Sequence, residues 1–566
     1  MGDAIVVTGT SETALFALKV RRGEGMALLT MDWKQGTPPG DFVGFAIEFQ
    51  APGTRTFQAL HNDLNFLAAD GKVAPGASSR LAPFQRFRWA HFPRDADLNG
   101  DFVYRVTPVS MAQDGGLSYG EPQQAALRLG GDTYADLNVA FTRGFVSSQA
   151  FAKRYEPVST LLPGAANEGL TFKSTNPKTE EALNWMGFEA REAILGALDR
   201  AIADEEAQVR AIAYELNEPE VVTRLEKLGD RLRMIIDNSG AQGEAGSAEN
   251  QAETRLKASA GEHNVKRQHM GALQHNKTIV LDSPTDKVVV CGSTNFSWRG
   301  FFVQSNNALI LRGDGPVEAF SAAFEQYWQH DEPSAFSAAA PAKWSGLALQ
   351  EIDAQVAFSP HSTDNALLAT IAEDINDRTE SSLLYSLAFL YETRGPIREA
   401  IKKMTEDDAV FVYGISDKKV GGLDVERPNG NVDPVYPDEL TEGVSAPFEA
   451  EPSGGKGVRM HHKFVVIDFD KPTARVYVGS YNFSGAADTK NGENLLLIRD
   501  PRVAVSYAVE ALTLFDHYHF RISQNEAAEK GKTFALARPP SSPDEKPWWD
   551  DYYTEPHKVR DREAFA

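Results

Sequence analysis

At 566 residues, with 42% hydrophobic and 24% charged positions, the chain has the balance of a folded globular protein of two or three compact units, which excludes a disordered or collagen-like one. Its formal net charge of −22 argues against general binding to polyanions or an anionic bilayer, which draws on excess Lys and Arg, and leaves room only for a local positive cleft. The one cysteine, Cys291, excludes an intramolecular disulfide framework and a Cys-rich zinc site; in VVVCGS it reads as a buried strand residue.

The chain starts MGDAIVVTGTSETALF, without a basic flank or a following apolar run, and no stretch approaches the ~20 apolar residues of a membrane span. The expectation is a soluble, cytoplasmic protein. Residues 1–155 carry short β-rich runs such as FVGFAIEFQ and FVYRVTPVSM separated by turn formers, which predicts an all-β sandwich. YRVTPV, Tyr104 to Val109, resembles a late strand of a fibronectin type III module. With no catalytic cluster here, this unit reads as an accessory or partner-binding domain. Arg86, Arg88, Trp89 and His91 offer a candidate binding face, against the alternative of strand and rim packing.

From about residue 170 the pattern turns to alternating helices and strands, which predicts α/β layering over 170–345. EEALNWMGFEAREAILGALDRAIA and PEVVTRLEKLG read as helices, QVRAIAYEL and RLRMIIDN as strands, and GAQGEAGSAENQAETRLKASAGEHN as a surface loop ahead of QHNKTIVLD. The same order recurs over 350–525: SLLYSLAFL, GPIREAIKKM and DAVFVYGIS, a Gly/Pro-rich segment from about Lys418 to Gly457, then MHHKFVVID. His275 to His461 spans 186 residues, while Asn295 to Asn482 and Asn307 to Asn494 each span 187, so the recurrence reads as an internal duplication with one inserted residue. Residues 526–566 lose periodicity and read as an extended arm. Its Trp548, Trp549, Tyr552 and Tyr553 would pack back over the body or an adjacent subunit.

The chemistry concentrates in the two repeats. HNKTIVLD is followed by VVVCGSTNFS, and HHKFVVID by VYVGSYNFS. Residues two apart on a strand share a face, so His275 with Lys277, and His461 with Lys463, address one pocket. Ser293 with Asn295, and Ser480 with Asn482, have the same interval. Asp282 and Asp468 lie seven residues beyond their histidines, an odd interval that assigns them to support rather than to contact. The residue types suit a phosphodiester: two lysines neutralise nonbridging oxygens, Asn amides and Ser hydroxyls donate hydrogen bonds, and two imidazoles divide nucleophile and acid roles. Neither metal nor cofactor is expected, because each copy sets its histidine beside a cation. His462 turns the other way on its strand and reads as structural. The basic stretch EHNVKRQHM, with His263, Lys266, Arg267 and His269, reads equally as a polyanion grip or a solvated loop.

These residues resemble the phospholipase D superfamily, whose signature HxKxxxxD with a following GSxN is matched twice: His275, Lys277, Asp282, Gly292, Ser293 and Asn295, then His461, Lys463, Asp468, Gly479, Ser480 and Asn482. The resemblance covers about residues 170 to 525 and is closer to the nuclease-like bacterial branch. It implies two α/β halves around one shared site and a phosphohistidine intermediate hydrolysed by water. Eleven residues past the GSxN asparagines stand Glu493 and Asn306. In the family such a residue binds the histidine of the opposite half, so Glu493 is expected at His275 and Asn306 at His461, making His275 the nucleophile and His461 the acid. A nuclease-like phosphodiesterase on DNA or RNA is the leading expectation. A phospholipase D or phospholipid transferase, without stable membrane insertion, is the alternative, and a binding protein without turnover is disfavoured by the two intact motifs.

Overall fold

The computed structural model describes residues 4–67, 72, 75–93, 95–96, 98–130, 134, 136–144, 155, 161–390, 393–416, 460–529, 535–542 and 544–566. The Gly/Pro-rich segment noted from the sequence lies outside the described residues.

The N-terminal region is β-rich, as its turn spacing predicts. Phe16–Gly23, Met26–Trp33 and Arg88–His91 form one antiparallel sheet with Val6–Thr8, and Phe42–Gln50, Asp101–Met111 and Gln123–Arg128 belong to a second. Along Asp101–Met111 the side chains of Phe102, Tyr104 and Val106 are buried while Val103 and Arg105 are only partly so. That period of two turns one face of each sheet onto a common core, where Phe16, Leu18 and Leu29 meet Phe45, Ile47 and Tyr104.

The rest of the body is α/β and holds two seven-stranded sheets. We label the strands of the first β1 (Leu137–Phe141), β2 (Gln208–Ala213), β3 (Leu232–Ile236), β4 (Val265–Arg267), β5 (Thr278–Asp282), β6 (Lys287–Gly292) and β7 (Asn307–Arg312). Those of the second are β8 (Ser345–Gly346), β9 (Asp353–Ser359), β10 (Ser382–Leu387), β11 (Phe411–Ile415), β12 (Lys463–Ile467), β13 (Arg475–Gly479) and β14 (Glu493–Arg499). The orders are β1-β7-β6-β5-β2-β3-β4 and β8-β9-β14-β13-β12-β10-β11. In both, the strand after each HxK lies between a parallel-paired strand and the strand that ends in GSxN. Helices Thr179–Ala203, Pro219–Lys227, Asp314–Gln329, Leu368–Arg378 and Pro396–Thr405 alternate with the strands, the first two and the last matching runs read from the sequence.

Three expectations need correction. Leu137–Phe141, counted with the N-terminal unit of 1–155, pairs antiparallel with β7 and completes the first α/β sheet. A partnerless apolar edge on β7 is covered more favourably by a strand than by water, and a sequence run of five residues does not say which sheet it joins. Second, the stretch read as a loop contains the helix Ala248–Ala260, started by Ser247, whose Oγ accepts from Asn250 N. It buries mostly Ala residues at helical spacing, Ala248, Ala252 and Ala260 with Leu256, too small to show as a hydrophobic stripe.

Third, 526–566 is not an extended arm. The helix Pro501–Glu529 crosses the expected boundary, and the chain ends in the helices Asp551–Thr554 and Pro556–Phe565. The Trp548 indole donates to Phe42 O, Trp549 is buried in the β-rich core, and Phe565 stacks on Phe469 with ring centroids 5.0 Å apart. The tail thus joins the β-rich region to the second α/β unit. Arg88, a candidate binding residue, is committed to Asp561 and Asp516, and His91 to the Tyr104 hydroxyl. Among the described residues no helix is long and apolar enough to cross a membrane.

Candidate active site

Backbone pairing between the units builds the site. His275 N donates to Gly492 O at 2.8 Å and Gly492 N to Leu273 O at 2.8 Å, while His461 N donates to Ser305 O at 3.0 Å. These bridges set each HxK segment beside the residue that follows the bridge in the other unit, Glu493 for His275 and Asn306 for His461. The glycine of each GSxN has a steric reason: a Cβ on Gly292 would stand 2.6 Å from Asn307 O and one on Gly479 2.3 Å from Asn494 O. That close approach seats Ser293 and Ser480, whose hydroxyls each accept a backbone N–H, from Asn307 and Asn494, at 3.0 Å.

The side chains then converge. His275 Nδ1 lies 2.9 Å from Glu493 Oε2, and His461 Nδ1 lies 2.8 Å from Asn306 Oδ1 and 3.2 Å from Ser293 O. Asn306 Nδ2 donates to Gly300 O and Ser293 Oγ donates to Asn306 Oδ1, which orients the amide with its oxygen toward the imidazole. Both imidazoles therefore carry their proton on Nδ1 and leave the Nε2 lone pair available. Lys463 Nζ sits 3.1 Å from His461 Nε2 and donates to His461 O; Lys277 Nζ donates to His275 O. The imidazole centroids are 6.5 Å apart, a spacing that suits one phosphorus between the two rings. Asn295 is buried and Asn482 half-buried, and the side-chain oxygen of neither has a hydrogen-bond partner among the described residues.

Burial and like charge set the protonation states. His275 is 3% exposed, His461 4%, Lys277 1% and Lys463 0%. Burial, reinforced by the two ammonium groups, holds both imidazoles well below their ordinary pKa. Burial also lowers Lys277 to about 7 and depresses Lys463, while it raises the Glu493 carboxyl to about 7. A bound anion would restore the charge on the two lysines.

The supporting aspartates part company. Asp468 is fully buried and its Oδ1 accepts from the backbone N–H of Glu380 and Ser381 at 2.9 and 2.8 Å, tying the end of β12 to the chain before β10. Asp282 is half-buried at the end of β5, paired with Lys287 at 2.8 Å. The basic stretch is committed to the scaffold: Lys266 to Asp331, Arg267 to Glu253 and to the carbonyls of Asp237 and Gln242.

Several contributors were not singled out from the sequence. The Tyr214 ring lies edge-on to His275 at 4.7 Å, with Lys277 Nζ 4.8 Å from its centroid; Phe389 stands 6.1 Å from His461. On the reverse face Asn494 Nδ2 donates to Asn276 Oδ1, and His462 joins Asn307 and Glu510. The equal 187-residue register of Asn307 and Asn494 is the only sequence signal for that second layer.

The family model described as cardiolipin synthase, PLD-like domain, matches residues 198–328 and 371–514. A phospholipase D of Rickettsia conorii is 45% identical over 47 residues, which are 8% of this chain and 22% of the relative's length. Among solved structures, the polyphosphate kinase of Porphyromonas gingivalis is similar at 12% identity and TM-score 0.40, over 93% of this chain and 80% of that one. Nuc of Salmonella typhimurium, a phospholipase D family member, is similar at 21% identity and TM-score 0.17, over 31% of this chain and 96% of that one. With the paired motif matched in both regions, the chain belongs to the phospholipase D superfamily.

Proposed function

We propose that the protein is a metal-independent phosphodiesterase whose two α/β units are duplicate copies sharing one active site. The observation that carries this reading is the crossed pairing of His275 with Glu493 and of His461 with Asn306, 6.5 Å apart ring to ring. His275 Nε2 attacks phosphorus, forming a P–N bond as the bond to the leaving oxygen breaks, and His461, protonated on Nε2 once the bound anion offsets the lysine charge, delivers that proton to the leaving oxygen. His461 then takes a proton from water as its oxygen displaces His275. Glu493 favours His275 as nucleophile, because a carboxylate on Nδ1 stabilises the ring charge that attack creates. Lys277 and Lys463 supply the positive charge a metal would otherwise bring, and Asn295 and Asn482 orient the phosphoryl oxygens.

Two substrate classes present the required bond. A nucleic-acid diester would be hydrolysed by water, while a phospholipid could exchange its headgroup by passing the phosphoryl group to an alcohol in the second step. The reaction class is tested with labelled substrate in EDTA. His461→Ala should accumulate a labelled phosphoenzyme and His275→Ala should form none. Label on His275→Ala but not on His461→Ala would overturn the assignment, and loss of all turnover in EDTA with recovery on adding a divalent ion would overturn metal independence.

A further inference from the structure

Tyr214 and Glu215 follow directly on β2, at the end of the strand that faces the site. The bridge between Leu216 and Phe296, with Asn217 N and Glu218 N donating to Phe296 O, locks this segment against the turn just after Asn295. There the fully buried Ser297 donates to Glu215 Oε2 at 2.7 Å, which holds the carboxylate in place. Tyr214 lies on His275 and Lys277 Nζ, and the negative charge of Glu215, the next residue, favours the charged form of both lysines. Asp237 and Glu249 are buried close by, Asp237 accepting from Gln274 N at 2.6 Å and Glu249 from Leu216 N at 3.0 Å. On the opposite side Phe389 takes the place beside His461, Leu390 follows it, and the charge of Arg299 adds to that of the two lysines on the ring.

Lys277 and Lys463 therefore both face the charge of Glu493 and Glu215, and Lys277 that of Asp237 as well. Only Glu493 is engaged with a catalytic imidazole. One diester anion between the histidines is matched by the lysines, whereas a second phosphate toward the Tyr214 side meets the Glu215 carboxylate. A polyanionic strand pays that repulsion and an isolated diester does not.

We propose that Glu215 is a specificity-determining residue that admits a phosphodiester standing alone, with neutral or cationic substituents, and rejects one flanked by further phosphates. This rests on the phosphodiesterase reading above and narrows it. The test uses the full chain and three probes: bis(4-nitrophenyl) phosphate, a single-stranded oligonucleotide with every linkage charged, and the same oligonucleotide with one phosphodiester between methylphosphonates. Within each enzyme the ratio of kcat/KM for the isolated linkage to that for the charged strand is read. The wild type should favour the isolated linkage by roughly tenfold, the effect of one charge acting over about 10 Å in a partly desolvated site. Glu215→Gln should bring the ratio close to one and Glu215→Asp should keep it. A ratio unchanged by Glu215→Gln, or a wild-type preference for the charged strand, would overturn the proposal alone. Failure of the wild type on all three probes would instead refute the phosphodiesterase reading.

Discussion

Replacing Glu493 with Gln probes the division of labour between the histidines. The amide is nearly isosteric, and its oxygen can still accept from His275 Nδ1, where the carboxylate sits at 2.9 Å with both groups buried. What it removes is the negative charge facing the ring as His275 becomes cationic. A unit charge about 4 Å away at an effective dielectric constant near 20 contributes about 4 kcal/mol, and a charge-assisted hydrogen bond about 1.5–3 kcal/mol. The lower of these values corresponds to about tenfold and the upper to about a thousandfold in rate. We expect kcat to fall roughly 100-fold or more with little change in KM, because the stabilisation belongs to the transition state. Single-turnover kinetics with labelled substrate should show the loss in phosphoenzyme formation. A kcat within threefold of the wild type, or a loss confined to hydrolysis of the phosphoenzyme, would refute the assignment of His275 as nucleophile.

The pH dependence of kcat/KM follows from the same groups. Glu493, raised to about 7, is protonated on the acid side and cannot then stabilise the ring, so the rate should rise with pH through that region. Lys277, lowered to about 7, loses its proton on the alkaline side, so the profile should be a narrow bell near neutrality whose limbs belong to the coupled cluster. A flat profile between pH 6 and 8 would contradict it. Gly479→Ala places a Cβ 2.3 Å from Asn494 O, and thermal unfolding should show a loss of about 1–3 kcal/mol together with a drop in activity as Ser480 moves. Phe565→Ala empties a site 1% exposed between Phe411 and Phe469; it should cost about 3–5 kcal/mol by denaturant titration, with kcat retained in the folded fraction.

What the sequence by itself determined is the local chemistry. The two-residue interval in HxK and GSxN, repeated in near-constant register, names the side chains that can face one pocket, and the alternating helical and strand runs name the α/β layers. These signals are legible because strand period and residue type act over a few positions. The N-terminal β-rich region was readable for the same reason, since Phe102, Tyr104 and Val106 alternate with less buried neighbours.

The tertiary structure decided what depends on distant partners. Leu137–Phe141 joins β7 because that edge needs a strand, and a run of five residues carries no address. Ala248–Ala260 buries side chains too small for a visible stripe, and the tail finds its place only against Phe42, Phe411 and Arg88. In the site, Tyr214 and Glu215 belong to no motif, yet a bridge from Leu216 to Phe296 sets them against the reacting groups. Their effect is electrostatic and acts through space, so the residues that choose a substrate can lie far in sequence from those that cut it.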